Sequence, residues 1–334
     1  MIQSLQNKMY GIARLMVGDM RLQFPEQGFL KRMRIYLAEM YPIPIRLLSS
    51  ALLYLSFAAL LGRIHGVQIQ ILSPFTLVGV WSVFALGLIL RLMDELKDKD
   101  IDQKLFSHRP VPAGKVFESD VWFSLVAVIS LYVFANIWVP AALWMAFFLL
   151  KYSLLMFRYF FIPDTLRKYL LLNVATHNPV VPIMLTYILV LFSAEQGLSL
   201  RNLDWHHSLL TIAAFWAMFF AWEISRKIRS PEEENEYVTY SQIFGRAGAV
   251  LIAGGAQTIS FVVGLYFYSQ LSFSGIFLAI LLLGYGVTMW GHARFLLNPN
   301  PVTSKLKPFA ERYILIILFA NVLEHTLFQR GWQL

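Results

Sequence analysis

What most constrains this chain is the recurrence of apolar runs long enough to cross, or nearly cross, a lipid bilayer. They lie at Leu47–Leu61, Phe75–Leu92, Val121–Val139, Ala141–Phe157, Tyr169–Phe192, Leu209–Ala221, Ala247–Tyr268, Ile276–Met289 and Tyr313–Leu323. A membrane-spanning helix needs about 20 residues, so the shorter runs are expected to be extended by their flanks. The pattern predicts an all-α, polytopic membrane protein with about nine transmembrane helices. With 57% hydrophobic and 14% charged residues, an ordinary soluble domain is excluded.

The basic residues set an expected orientation, because Lys and Arg are retained on the cytoplasmic side. If the N-terminus is inside, all but Arg63, Arg201 and Arg330 of the 28 basic residues fall on the cytoplasmic side, and the C-terminus lies outside. The expected location is a bacterial inner membrane. The net charge of +8 then reflects topology and contact with anionic lipid. No basic stripe with stacking aromatics is set apart, so nucleic acid is not an expected partner.

Residues 1–43 read as a cytoplasmic amphipathic segment carrying Lys8, Arg14, Arg21, Lys31, Arg32 and Arg34, without a cleavable signal pattern, and residues 44–334 as one transmembrane domain. With no cysteine there are no disulfides, thiolate metal sites or cysteine nucleophiles. Glu324 and His325, near the end of the last span, read as interfacial.

Between the second and third spans lies DELKDKDIDQKLFSHRPVPAG, residues 94–114. Asp94, Asp98 and Asp102 recur every fourth residue, so on a helix each is rotated by only ~40° and lifted by ~6 Å from the last. Glu95 lies close to the same face, and Asp100 points elsewhere. Clustered carboxylates repel unless a cation sits among them. Mg²⁺ takes one or two carboxylates and fills its other positions with water and phosphate oxygens. The interleaved Lys97, Lys99 and Lys104 also fit a plain solvated helix end.

This segment resembles the first signature of the UbiA superfamily of intramembrane prenyltransferases, Asn-Asp-x-x-Asp-x-x-x-Asp followed by Arg-Pro-Leu-x-x-Gly. The matching residues are Asp94, Glu95, Asp98 and Asp102, then Arg109, Pro110 and Gly114, with Val111 in place of Leu. The number of spans and the polar loops after the second and sixth extend the resemblance to the whole chain. It implies a helical bundle around a central cavity opening to the cytoplasmic side.

The second signature departs from the family. Thr239 and Gly245 keep the separation of its Thr and Gly, but Glu223 stands for the first Asp of Asp-x-x-x-Asp and Lys227 for the second. Two alignments are open. In one, Glu223 is the ligand and Lys227 meets phosphate directly. In the other, Glu232 and Glu236 supply a second metal site. The first is preferred, because an acid at the membrane boundary is costly without a role. The family's tyrosine and cation after the fourth span correspond loosely to Tyr152 and Arg158, with Met156 where a Lys is expected. In the fifth span Asn173, His177 and Asn178 lie near one face, and Pro179 and Pro182 should kink the helix.

The resemblance implies transfer of a polyprenyl group from a polyprenyl diphosphate to a lipid-soluble, aromatic acceptor within the membrane. Mg²⁺ would be held by Asp94, Glu95, Asp98, Asp102 and Glu223, with Asp98, Asp102, Glu223 and Arg109 catalytic. Asp94, Arg109, Lys227, Arg229, Arg158, Tyr152 and Asn173 would bind substrate. Glycosyl or phosphoribosyl transfer to a polyprenyl phosphate, and a non-catalytic lipid-binding relative, are the alternatives. A transporter is disfavoured, because the charges gather at helix ends.

Overall fold

The computed structural model describes residues 28–234, 238–329 and 332–333. The expected positions Lys8, Arg14, Arg21, Glu236 and Arg330 lie outside them. The helices are α1 (Phe29–Met40), α2 (Ile43–His65), α3 (Pro74–Lys97), α4 (Lys99–Leu105), α5 (Glu118–Ile137), α6 (Pro140–Phe157), α7 (Pro163–Lys168), α8 (Leu170–His177), α9 (Val180–Glu195), α10 (Trp205–Ser225), α11 (Tyr240–Gln270), α12 (Gly275–Leu297) and α13 (Lys307–Glu324). The only extended pairing among the described residues is a two-residue parallel contact, Ile69–Gln70 with Trp332–Gln333.

Eight helical segments are long and apolar enough to cross a membrane, α8 and α9 together forming one of them. The expected ninth span corresponds to α13. Its 18 residues include Lys307, Glu311, Arg312 and Glu324, which flank the apolar run Tyr313–Leu323. The proline-bearing span breaks where expected: α8 ends at His177 and α9 begins at Val180, with Asn178 and Pro179 between them.

The chain forms two compact units. The first comprises residues up to Ala51 together with Leu77–Pro163; the second comprises Leu52–Thr76 and Asp164–Leu334. In the first unit, α1 is anchored by an ion pair that the sequence pattern did not reveal. The Arg32 guanidinium donates to both carboxylate oxygens of Asp120 at 2.6 and 2.7 Å, and the two side chains are 4% and 0% exposed. Such a buried bidentate pair fixes geometry, because breaking it leaves a charge without solvent. Asp120 also accepts the Phe117 backbone N–H at 3.1 Å at the start of α5.

In the second unit, Ile224, Ile228, Tyr240, Val250, Phe295 and Leu306 form a buried cluster at the junction of α10, α11 and α12. Close helix approach rests on small residues: a Cβ built at Gly291 would lie 2.8 Å from the Phe309 ring. Glu324 is buried within the protein. Its carboxylate accepts the Ser274 backbone N–H at 2.8 Å and the Ser274 hydroxyl, fixing the residue that caps α12 by accepting the Phe277 N–H.

Candidate functional site

In the first unit, the acidic segment spans a shallow break between α3 and α4 at Asp98. The four-residue row survives the break because the backbone bonds continue: Asp98 N–H donates to Asp94 C=O, and Asp102 N–H to Asp98 C=O, both at 2.9 Å. Each carboxylate on or beside this row nonetheless has a different environment. Asp94 is exposed and pairs with Lys97 at 3.4 Å. Glu95 is buried, with Oε2 held by Arg91 and, at 3.5 Å, by the Tyr36 hydroxyl, while its buried Oε1 has no hydrogen-bond partner. Asp102 is buried, and both of its oxygens accept Arg109 Nη1, at 2.6 and 2.7 Å. The same guanidinium lies 4.0 Å from the centre of the Phe106 ring.

Asp98 is partly buried and accepts the Tyr159 hydroxyl at 3.1 Å. Burial pushes its carboxyl above the usual carboxylate range. Asp94 and Asp102 add to that effect, whereas Lys97 and the Tyr159 hydroxyl oppose it. Lys97 Nζ also stands 4.9 Å from the centre of the Tyr159 ring. Tyr159 begins an unusual turn after α6: Tyr159, Phe160 and Phe161 all have left-handed backbones, with φ of 49°, 50° and 62°. Left-handed geometry costs an L-residue ~1–2 kcal/mol. Three in succession persist only where the surroundings fix them, a pattern that clusters at functional positions. Sequence reasoning named Tyr152 and Arg158 and missed Tyr159. The available signal was the Tyr-Phe-Phe run between the helix end and Pro163.

Of those two expected residues, Tyr152 packs edge-on against Phe160 with ring centres 5.6 Å apart. Arg158 is exposed and lies 5.8 Å from the centre of its neighbour Phe157. The Arg-Pro-x-x-x-Gly motif has a structural explanation. The Pro110 carbonyl accepts the N–H groups of Lys115 and Val116, and Gly114 takes φ +72° to turn the chain toward α5.

The first segment therefore offers hard oxygen donors on Asp94, on Asp98 and, through its unpartnered Oε1, on Glu95. These fit a Mg²⁺ ion that takes one or two carboxylates and completes its shell with water and phosphate. Among the described residues no group of three or more acidic or imidazole side chains is arranged to hold a metal unaided.

In the second unit, Glu223 sits in the last turn of α10. Arg226 holds both its oxygens, Nε on Oε2 at 2.5 Å and Nη2 on Oε1 at 3.0 Å. Lys227 Nζ is 3.8 Å from Oε1, and the Tyr240 hydroxyl donates to Oε1 at 3.4 Å. Arg229 donates through Nη1 to the carbonyls of Arg226 and Ile228, at 3.2 and 2.9 Å, where a cation suits the C-terminal end of α10. Thr239 and Gly245 act on the backbone. Thr239 Oγ1 caps α11 by accepting the Gln242 N–H at 3.2 Å, and Gly245, with φ +69°, makes a kink inside that helix.

The acidic loop is largely internal. Glu234 accepts the hydroxyls of Thr239, at 2.8 and 3.0 Å, and of Ser241, at 2.6 Å. Glu233 accepts from Ser230 and Ser304. Burial acts to raise the Glu233 pKa, but these donors outweigh it and hold the carboxyl below its usual value. Glu232 is exposed. In the broken span, Asn173 donates to the Leu166 carbonyl at 3.4 Å, its own carbonyl bonds His177 Nδ1 at 2.9 Å, and Asn178 accepts the Trp216 indole N–H.

No family model matches the sequence, and neither does any curated protein. Two solved structures match in fold. A digeranylgeranylglyceryl phosphate synthase has a TM-score of 0.60 at 16% identity, the match covering 88% of this chain and 99% of that one. The apo form of a UbiA homolog from Aeropyrum pernix K1 has a TM-score of 0.59 at 14% identity, covering 83% and 98%. The structural neighbours of this all-helical membrane chain are thus members of the UbiA superfamily, and theirs is the fold it shares.

Proposed function

We propose that the chain is a Mg²⁺-dependent prenyltransferase of the UbiA type, moving a polyprenyl group from its diphosphate to a lipid-soluble acceptor. The observation that carries this reading is the acidic row at Asp94 and Asp98. It combines a burial-raised carboxyl at Asp98, an unpartnered oxygen on Glu95 and a hydroxyl from a strained turn, within a fold shared with UbiA proteins. When bound there, Mg²⁺ would neutralise the leaving diphosphate as a Lewis acid.

The protein's own residues do the rest. Asp94 and Asp98 present oxygens to the cation, with Glu95 beside them. Tyr159 holds Asp98 in one rotamer. Asp102 fixes Arg109, which has further N–H groups for phosphate oxygens. The segment Glu223–Arg229 carries Arg226, Lys227 and Arg229, whose positive charge suits phosphate oxygens. The prenyl C1–O bond breaks with its electron pair leaving on pyrophosphate. The acceptor then bonds to C1 and releases a proton to water. Apolar surroundings keep water from competing as the acceptor.

An aromatic acceptor follows from the sequence resemblance. The similar synthase is named for a glyceryl phosphate product, so a hydroxyl acceptor is the second arm of the test. Protein in nanodiscs is supplied with Mg²⁺, a series of polyprenyl diphosphates and either acceptor class, and products are identified by mass. A Mg²⁺-dependent product equal to acceptor plus prenyl group minus one proton is expected. If instead a sugar phosphate donor is consumed with a polyprenyl phosphate, the phosphoribosyl reading replaces this one. That reading is kept because Lys227 stands where an acid is expected.

A further inference from the structure

The second signature of this chain is unsuited to a metal ion. Glu223 is its first acid, and both oxygens are already held by Arg226 at 2.5 and 3.0 Å. The next ligand position is Lys227, whose ammonium lies 3.8 Å from the same carboxylate. A divalent cation at Glu223 would compete with the exposed bidentate Arg226 guanidinium and face the Lys227 ammonium at close range. Two acids further along are already committed. Glu234 is taken by Thr239 and Ser241, and Glu233 by Ser230 and Ser304.

The segment 223–229 carries Arg226, Lys227 and Arg229 against the single carboxylate of Glu223. These cations are differently placed. Arg229 is bound to backbone carbonyls, and Arg226 to Glu223. Lys227 is largely buried, with its side chain 14% exposed. Its Nζ stands 5.7 Å from the centre of the Tyr240 ring. That ring is itself fully buried, and the Tyr240 N–H donates to the Lys227 carbonyl at 3.1 Å. The ammonium is therefore held at a defined position between an aromatic face and a carboxylate. It has three N–H donors, which suit phosphate oxygens.

We infer that Lys227 takes the place of a second divalent cation, so that this segment binds the phosphate oxyanion directly and the chain uses one Mg²⁺. The inference rests on the functional reading above for the identity of the anion. It makes metal stoichiometry, rather than turnover, the distinguishing property.

The test uses the full chain in nanodiscs with inorganic pyrophosphate and Mn²⁺ as probes. Bound Mn²⁺ is counted by electron paramagnetic resonance, and pyrophosphate binding is measured both with Mn²⁺ and in EDTA. One Mn²⁺ per chain is expected, lost in Asp98→Asn and kept in Lys227→Gln, while Lys227→Asp should bind two. In EDTA a weaker pyrophosphate affinity should remain. Lys227→Gln should reduce it about ten-fold, as expected for losing a charged hydrogen bond; Lys227→Arg should restore most of it, and Asp98→Asn should leave it intact. Two Mn²⁺ on the wild-type chain, one of them lost in Glu223→Gln, would overturn the inference and leave the prenyltransferase reading standing. So would an EDTA-resistant affinity insensitive to Lys227→Gln, or no such affinity. No Mn²⁺ at all, with Lys227-sensitive binding in EDTA, would instead overturn the metal role of Asp94 and Asp98 and leave direct anion binding standing.

Discussion

The two segments that the family resemblance marks for metal binding, beginning at Asp94 and at Glu223, differ in chemistry. In the segment that begins at Asp94, the acids Asp94, Glu95 and Asp98 keep oxygen atoms suited to a cation, and the one fully committed carboxylate, Asp102, is matched by Arg109. In the segment that begins at Glu223, the carboxylate is enclosed by Arg226, Lys227 and Tyr240, and further along Glu233 and Glu234 are occupied by hydroxyls. Carboxylate spacing alone does not make a metal site. What decides is how much of each carboxylate the protein's own cations and hydroxyls have already taken.

The sharpest way to break this contrast is to neutralise the acid at the centre of the first segment. Asp98→Asn should lower turnover by roughly a thousand-fold or more, on the scale of removing a charge-stabilising group. The same substitution should raise thermal stability at neutral pH. Because burial raises the Asp98 pKa in the fold, its ionisation is penalised there. The penalty is absent below the ordinary carboxylate value, where folded and unfolded chains are both protonated, grows as pH rises from there to the raised value, and is constant above it. Melting curves of wild type and Asp98→Asn should therefore converge near pH 4 and separate toward pH 7. The opposite trend would mean that the ionised carboxylate is favoured by the fold.

A control outside the acidic segments should hurt stability instead. Arg32→Met leaves Asp120 charged and buried, which should cost about 3–5 kcal/mol in a reversible unfolding assay. Folded protein that survives should keep its donor KM.

Next in size is Tyr159→Phe, which removes the hydroxyl from Asp98 while keeping the ring beside Lys97. A fall in kcat of about ten-fold with little change in melting temperature is expected from one lost hydrogen bond to a charged group. In the same turn, Phe160→Gly relieves a left-handed residue by ~1 kcal/mol but removes the ring packed on Tyr152, so little net change in stability is expected. Gly114→Ala should destabilise the fold by ~1 kcal/mol, since φ +72° is what disfavours a Cβ there and nothing crowds the position. The smallest effect belongs to Glu232→Gln. It lies on the exposed acidic loop, and its activity should match wild type; a hundred-fold loss would favour the alternative alignment, with Glu232 and Glu236 as ligands.

Much of the architecture was legible because membrane helices announce themselves by length and apolarity. The apolar runs, the proline break near Asn178 and the four-residue row of acids are local patterns, and they survive folding. What could not be read are partnerships across sequence distance. Arg32 meets Asp120 across 88 residues and Tyr159 meets Asp98 across 61, with no periodic signal linking either pair. Glu324 likewise meets Ser274, the capping residue of α12, across 50 residues of sequence. The ninth apolar run differs from the other eight in the charges that flank it within α13, Lys307, Glu311, Arg312 and Glu324. The roles of Gly114 and Gly245 were visible as motif letters, and only the backbone angles gave them a physical reason.

The central claim is that the segment at Asp94–Asp98 holds the activating cation and the segment at Glu223–Arg229 does not. The most direct test is the Mg²⁺ dependence of pyrophosphate release in Asp98→Asn and Glu223→Gln, side by side with wild type and under saturating donor and acceptor. The account expects Asp98→Asn to be inactive at every Mg²⁺ concentration, and Glu223→Gln to turn over with an unchanged Mg²⁺ requirement and a raised donor KM. Release by Asp98→Asn that recovers at high Mg²⁺, together with a Glu223→Gln variant whose Mg²⁺ requirement shifts by an order of magnitude, would contradict it.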